Sequence, residues 1–122
     1  MPAKITSGHL FKGIPKQLGK EVSQILLKRP GLSILRIVSQ GQTTDWLTQG
    51  FDEWVVLLSG AASLLFGDQG RKMDMKPGDY AFIPAGCRHR VVWTDSARRS
   101  VWLAVHYKGE RAARRPGRKN TR

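Results

Sequence analysis

Apolar and polar residues alternate in short runs separated by Gly and Pro from Leu32 to the end of the apolar sequence near Tyr107. A period of two is the mark of a strand with one face inward. The pattern predicts strands over 32–38, 53–58, 61–66, 71–75, 80–83, 89–93 and 100–107. Ser59-Gly60, Gly67-Asp68-Gln69-Gly70, Pro77-Gly78, Pro84-Ala85-Gly86 and Asp95-Ser96 supply the turns. Gly41 and Gly50 bracket a polar loop or distorted strand. Many short strands at near-even spacing indicate an all-β sandwich or barrel.

The N-terminal quarter reads differently. Residues 1–13 form an irregular arm. Ile14, Leu18, Val22, Ile25 and Leu26 then recur at steps of three and four, which predicts one short helix over about 15–27. Pro15 opens it and Pro30-Gly31 stops it. The organisation expected is an arm and helix over 1–31, a barrel over 32–107 and a tail over 108–122.

Charge refines the ends of the chain more than its middle. The 122 residues carry a formal net charge of +12. Seven basic residues and one acid fall within 108–122, so half of the excess sits in that segment. It has no apolar side chain larger than Ala and reads as a disordered basic tail. Such a tail adheres to polyanions without sequence preference. Elsewhere no Arg/Lys run is interleaved with aromatics, so no specific nucleic-acid partner is expected. No apolar run of about 18 residues exists, so no membrane span is expected. The first residues lack the apolar core of a secretory signal, and Cys87 stands alone without a disulfide partner. Both fit a cytoplasmic protein.

Two glycine-bounded blocks carry the candidate chemistry. The first is Gly41-x5-Leu47-x-Gln49-x3-Glu53-x6-Gly60. The second is Gly78-x5-Pro84-x-Gly86-x2-His89-x3-Trp93. Together they resemble the paired motifs of the cupin superfamily, small single-domain type, matching at Gly41, Glu53, Gly60, Gly78, Pro84, Gly86 and His89. The resemblance covers residues 32–107. It implies a jelly-roll β-barrel, a double-stranded β-helix, enclosing a pocket. It also implies a divalent metal such as Fe, Mn, Ni or Zn, held by three histidines and a glutamate. Here that motif is degraded. Leu47 and Gln49 stand where two histidines are usual, and Trp93 replaces an Asn. Glu53 and His89 remain as ligands. Gln49 offers a weak neutral oxygen, and His106 is a further candidate. Asp45 and Asp52 are other conceivable substitutes.

The residues themselves support a pocket reading. Glu53, Val55 and Leu57 share one strand face, and His89, Val91 and Trp93 share another. If both faces look inward, Glu53 and His89 meet in an apolar cavity. There they can act as acid and base, clamp a ligand, or simply satisfy one another. Trp46 and Trp93 are expected to line the pocket with Gln49, Glu53 and His89. Trp54 and Trp102 are expected to face outward, against the helix or another subunit. His9 is expected to be exposed, and Cys87 to be an inert small residue. The expected function is small-molecule binding in the barrel, with or without a weakly held metal, in a homodimer. The alternative is a metal-dependent enzyme of oxygenase or isomerase type. No catalytic residue is assigned by the sequence.

Overall fold

The computed structural model describes residues 3–67 and 70–109. Eight strands follow in order: β1 (Val22–Arg29), β2 (Leu32–Ser39), β3 (Asp52–Ser59), β4 (Ala62–Phe66), β5 (Arg71–Met75), β6 (Tyr80–Ile83), β7 (His89–Thr94) and β8 (Ser100–Tyr107). Seven of these match the predicted strands to within a residue or two.

The strands form two antiparallel sheets. One has five strands in the order β1-β2-β8-β3-β6, and the other has three in the order β5-β4-β7. Their facing surfaces bury the main core. Val55, Leu57, Ala81, Ile83, Trp102 and Ala104 come from the larger sheet, and Ala62, Leu64 and Met75 from the smaller. The segment after β2 runs alongside β7 and widens the smaller sheet. Leu47 and His89 exchange backbone hydrogen bonds at 2.7 and 3.0 Å, and Thr44 N–H donates to the Val91 carbonyl at 3.0 Å.

The predicted helix is absent, and no described residue is helical. Its second half is strand β1, which pairs with β2 from Val22↔Val38 to Arg29↔Leu32. Two physical features account for the misreading. The register slips between Ile25 and Leu27, leaving Leu26 as the extra residue of a bulge. That insertion breaks the two-residue alternation and imitates steps of three and four. Pro30-Gly31 is a hairpin turn instead of a helix stop. Gly31 has φ +72°, the conformation that the third position of a type II turn needs after a Pro. Ile14 and Leu18 do pack inward, but as part of an irregular arm. They cover Val22, Val38, Leu58 and Val101 on the outer face of the larger sheet.

Lys108 N–H still donates to the Gly31 carbonyl at 2.8 Å. The expected disordered tail lies, for residues 110–122, outside the described residues. Among the described residues, no helix is long and apolar enough to cross a membrane.

Candidate functional site

A cavity of about 190 Å³ opens between the two sheets. Its walls are mostly aliphatic: Ile37, Val55, Leu64, Ile83 and Val91, with the indole of Trp102. Into this apolar space project Glu53, His89, His106, Gln49, Thr44 and, at the rim, Glu21.

Strand pairing places the central group. Glu53 of β3 is the register partner of His106 on β8, so their side chains leave the sheet on the same face. His106 Nε2 lies 3.2 Å from Glu53 Oε2. An ionised carboxylate only accepts, so His106 donates. His89 arrives from the opposite sheet, where the 84–86 turn delivers it to the start of β7. Its Nε2 lies 3.8 Å from Glu53 Oε1, an ion-pair separation that is too long for a hydrogen bond. His89 Nδ1 is 2.9 Å from the Cys87 carbonyl. A carbonyl only accepts, so Nδ1 carries a hydrogen and Nε2 is the nitrogen that changes role. Neutral His89 presents a lone pair to the cavity, and cationic His89 presents a donor.

The residues around this trio hold it in place. Glu53 is 8% exposed and His89 3%. Phe51 lies against the His106 ring at 4.5 Å between centroids. Glu21, exposed overall, reaches the cavity with its carboxylate, to which the Ser39 hydroxyl donates at 3.4 Å. Partial burial raises the Glu21 carboxyl above its ordinary 4.5; the Ser39 bond opposes this and the Glu53 charge adds to it. The cavity thus holds two carboxylates, and no Lys or Arg lines it.

Of the residues singled out in the sequence, Gln49, Glu53, His89 and His106 do line this cavity. Trp46 and Trp93 do not. Trp46 is adjacent in extended chain to the inward Leu47, so it points the other way. Its ring lies under the Arg88 guanidinium at 3.9 Å. Trp93 is excluded by a second bulge. β7 loses register between Ser63 and Leu64 of its partner, leaving Val92 as the extra residue. Val91 faces the cavity, Trp93 is 48% exposed and Thr94 is buried. Trp102, expected outside, is 4% exposed and lines the cavity. The signal was present in the sequence, because Trp102 is in phase with His106 on one strand. Trp54 is outward, stacked on Tyr80 at 5.6 Å. Glu21 was missed because a helix was expected there. Asp45 is exposed, and Asp52 takes the Ala85 N–H at 2.9 Å instead.

These donors do not fit a resident divalent metal. Leu47 fills a ligand position with an aliphatic group, Gln49 is a weak donor, and Glu53 Oε2 is engaged by His106. Among the described residues, no three His, Cys, Asp or Glu side chains are arranged to hold a metal ion between them.

Residues 35–106 match the Cupin domain family. A candidate mannose-6-phosphate isomerase from Ralstonia eutropha JMP134 has a crystal structure that superposes with a TM-score of 0.82 at 42% identity, covering 86% of this chain and 100% of that one. A cupin superfamily protein from Desulfitobacterium hafniense DCB-2 gives 0.67 at 21% identity, covering 79% and 84%. The polyketide cyclase RemF from Streptomyces resistomycificus gives 0.68 at 21%, covering 85% and 80%. The last two similarities speak to the fold alone. No protein of curated function matches the chain.

Proposed function

The chain belongs to the cupin family, and on that scaffold we propose that it binds a compact, largely apolar molecule bearing one hydroxyl or amino group. The observation that carries this reading is the Glu53 carboxylate set between two imidazoles inside an aliphatic cavity. Glu53 Oε1 and the Nε2 of neutral His89 are both acceptors, 3.8 Å apart. A single O–H or N–H donor of a ligand between them serves both, and apolar walls bury the rest of the molecule. A cavity of about 150 Å³ accommodates benzene, so about 190 Å³ suits one ring or a short branched chain.

The same geometry suits proton handling. Glu53 can take a proton from the ligand's donor, and His106 steadies the carboxylate in its acceptor geometry. His89 can receive the proton at Nε2 while its Nδ1–H stays on the Cys87 carbonyl. A sugar phosphate is a poor occupant. Its charge would face Glu21 and Glu53 with no lining cation to offset it. The metal-dependent alternative is weaker for the reason given above, the poor donor set: Leu47 offers nothing, Gln49 is a weak ligand and His106 occupies Glu53 Oε2. A homodimer completes the reading. Trp54, Tyr80 and Phe82 stand exposed together on the outer face of β3 and β6, where a second chain can cover them.

Saturation-transfer NMR with a panel of one-ring alcohols, phenols and amines tests the binding. Signals from at least one class should vanish when the cavity is filled by Val91→Trp. Binding that survives Val91→Trp lies elsewhere and removes the proposal. Elemental analysis of protein purified without chelator addresses the alternative. Stoichiometric Fe, Mn, Ni or Zn, lost on His89→Ala, would establish the metal-dependent reading in its place.

A further inference from the structure

Arg36 is buried on the side of the larger sheet that faces away from the barrel cavity. It follows Leu35 and precedes Ile37 on β2, and Ile37 lines the cavity, so Arg36 takes the outer face. It is only 7% exposed there. The N-terminal arm covers it, and Nη1 donates to the carbonyls of Leu10 at 3.2 Å and Lys12 at 2.6 Å. Its Nε is buried and has no hydrogen-bond partner. Among the described residues, no carboxylate lies within ion-pair distance of the guanidinium.

That arrangement is incomplete on its own terms. A guanidinium stays charged at any physiological pH, and a buried charge without a counter-charge is strongly unfavourable. Two backbone carbonyls satisfy one nitrogen and leave the net charge uncompensated. Its surroundings add cations and donors, not acids. Arg36 borders a groove of about 590 Å³ between the arm and β1–β2, to which Thr6, Ser7, His9, Lys12 and Gln24 also contribute. The Phe11 N–H donates to His9 Nδ1 at 3.1 Å, so the His9 hydrogen sits on Nε2 and is available to an acceptor. No Asp or Glu lines the groove.

We propose that this groove binds a phosphate group, with Arg36 as its buried anchor and Lys12, His9 and the Ser7 hydroxyl as outer donors. A carboxylate would use two acceptor atoms, whereas a phosphate presents three or more oxygens and close to two charges. Three cationic or donor side chains and a hydroxyl match the latter. The site is separate from the barrel cavity, so it stands or falls independently of the ligand proposed there.

Titration calorimetry of the full chain with inorganic phosphate at low ionic strength tests it. One saturable site per chain is expected. Arg36→Gln should weaken it by about tenfold or more, the loss typical of a charge-assisted bond. Because Arg36 also pins the arm, Lys12→Met provides the second reading. It should weaken binding several-fold while the melting temperature stays unchanged. Arg114→Gln combined with Arg115→Gln should leave binding intact. Absence of a saturable site, binding that Lys12→Met leaves untouched, or binding that the Arg114/Arg115 pair abolishes would each overturn the proposal. Acetate competing as well as phosphate would overturn the assignment to phosphate.

Discussion

Glu53 and His106 are register partners on β3 and β8 whose side chains meet at 3.2 Å inside the barrel. Glu53 is also the only carboxylate within ion-pair distance of His89 among the described residues. It therefore ties the polar groups of the two sheets together. Glu53→Ala should remove that link and leave the His106 Nε2–H without its acceptor in a buried site. A cost of about 1–3 kcal/mol is expected, measured by urea unfolding. A loss near zero would mean the histidines re-pair or reach water.

The position of Glu21 gives a pH dependence with a definite sign. Its folded pKa is raised above 4.5, mainly by burial. Above the folded value the carboxylate is ionised in both states, and the native state carries the full penalty. As pH falls through the folded pKa toward 4.5 the penalty fades, and below both values it is gone. Glu21→Gln should therefore raise the melting temperature at pH 7 and give no such gain below about pH 4, where the native carboxyl is already neutral. Equal gains at both values would point to a cause other than charge.

Restoring the missing histidines should restore metal affinity. Leu47 and Gln49 both line the cavity beside His89 and Glu53. The double variant Leu47→His with Gln49→His should retain Ni or Zn through desalting at near one equivalent per chain. The unaltered chain should retain much less. Equal retention by both would show that the native donors suffice.

The outward aromatic group predicts an association. Trp54 and Tyr80 stack, and Phe82 is 57% exposed beside them. Phe82→Glu should shift a dimer to a monomer in light scattering, with the fold unchanged by circular dichroism. A monomer before substitution would dispose of the dimer.

The turn at Gly60 should resist substitution. It has φ +89°, and a Cβ there would strike the backbone and hydroxyl of Ser100. The Ser100 hydroxyl also bonds the Ala61 carbonyl at 3.1 Å, which holds that approach close. Gly60→Ala should cost more than 1 kcal/mol, since strain and overpacking act together. Thermal melts read this directly.

The barrel was legible because Gly and Pro punctuation and two-residue alternation are local signals. The pair Glu53 and His89 was legible through the spacing of its two motif blocks. Three features were not legible, and each depends on partners distant in sequence. β1 read as a helix because a bulge at Leu26 disturbs its alternation, and a bulge is defined by the opposite strand. Trp93 was assigned inward for the same reason, since only pairing with β4 reveals the slip at Val92. Arg36 alternates with Leu35 and Ile37 along β2, and nothing near it in sequence shows that residues 10–12 lie across it.

The slip at Val92 has a bearing on how such a cavity can change. The register between β4 and β7 decides whether an indole or a threonine hydroxyl follows Val91 toward the interior. Deleting Val92 would remove the slip and leave Trp93 opposite Ser63 on the outer face, whereas one residue inserted into β4 between Ser63 and Leu64 would give Val92 a partner and turn Trp93 toward the space between the sheets. Pocket volume on this barrel is thus open to change by a single-codon insertion in the neighbouring strand, with no substitution of any lining residue.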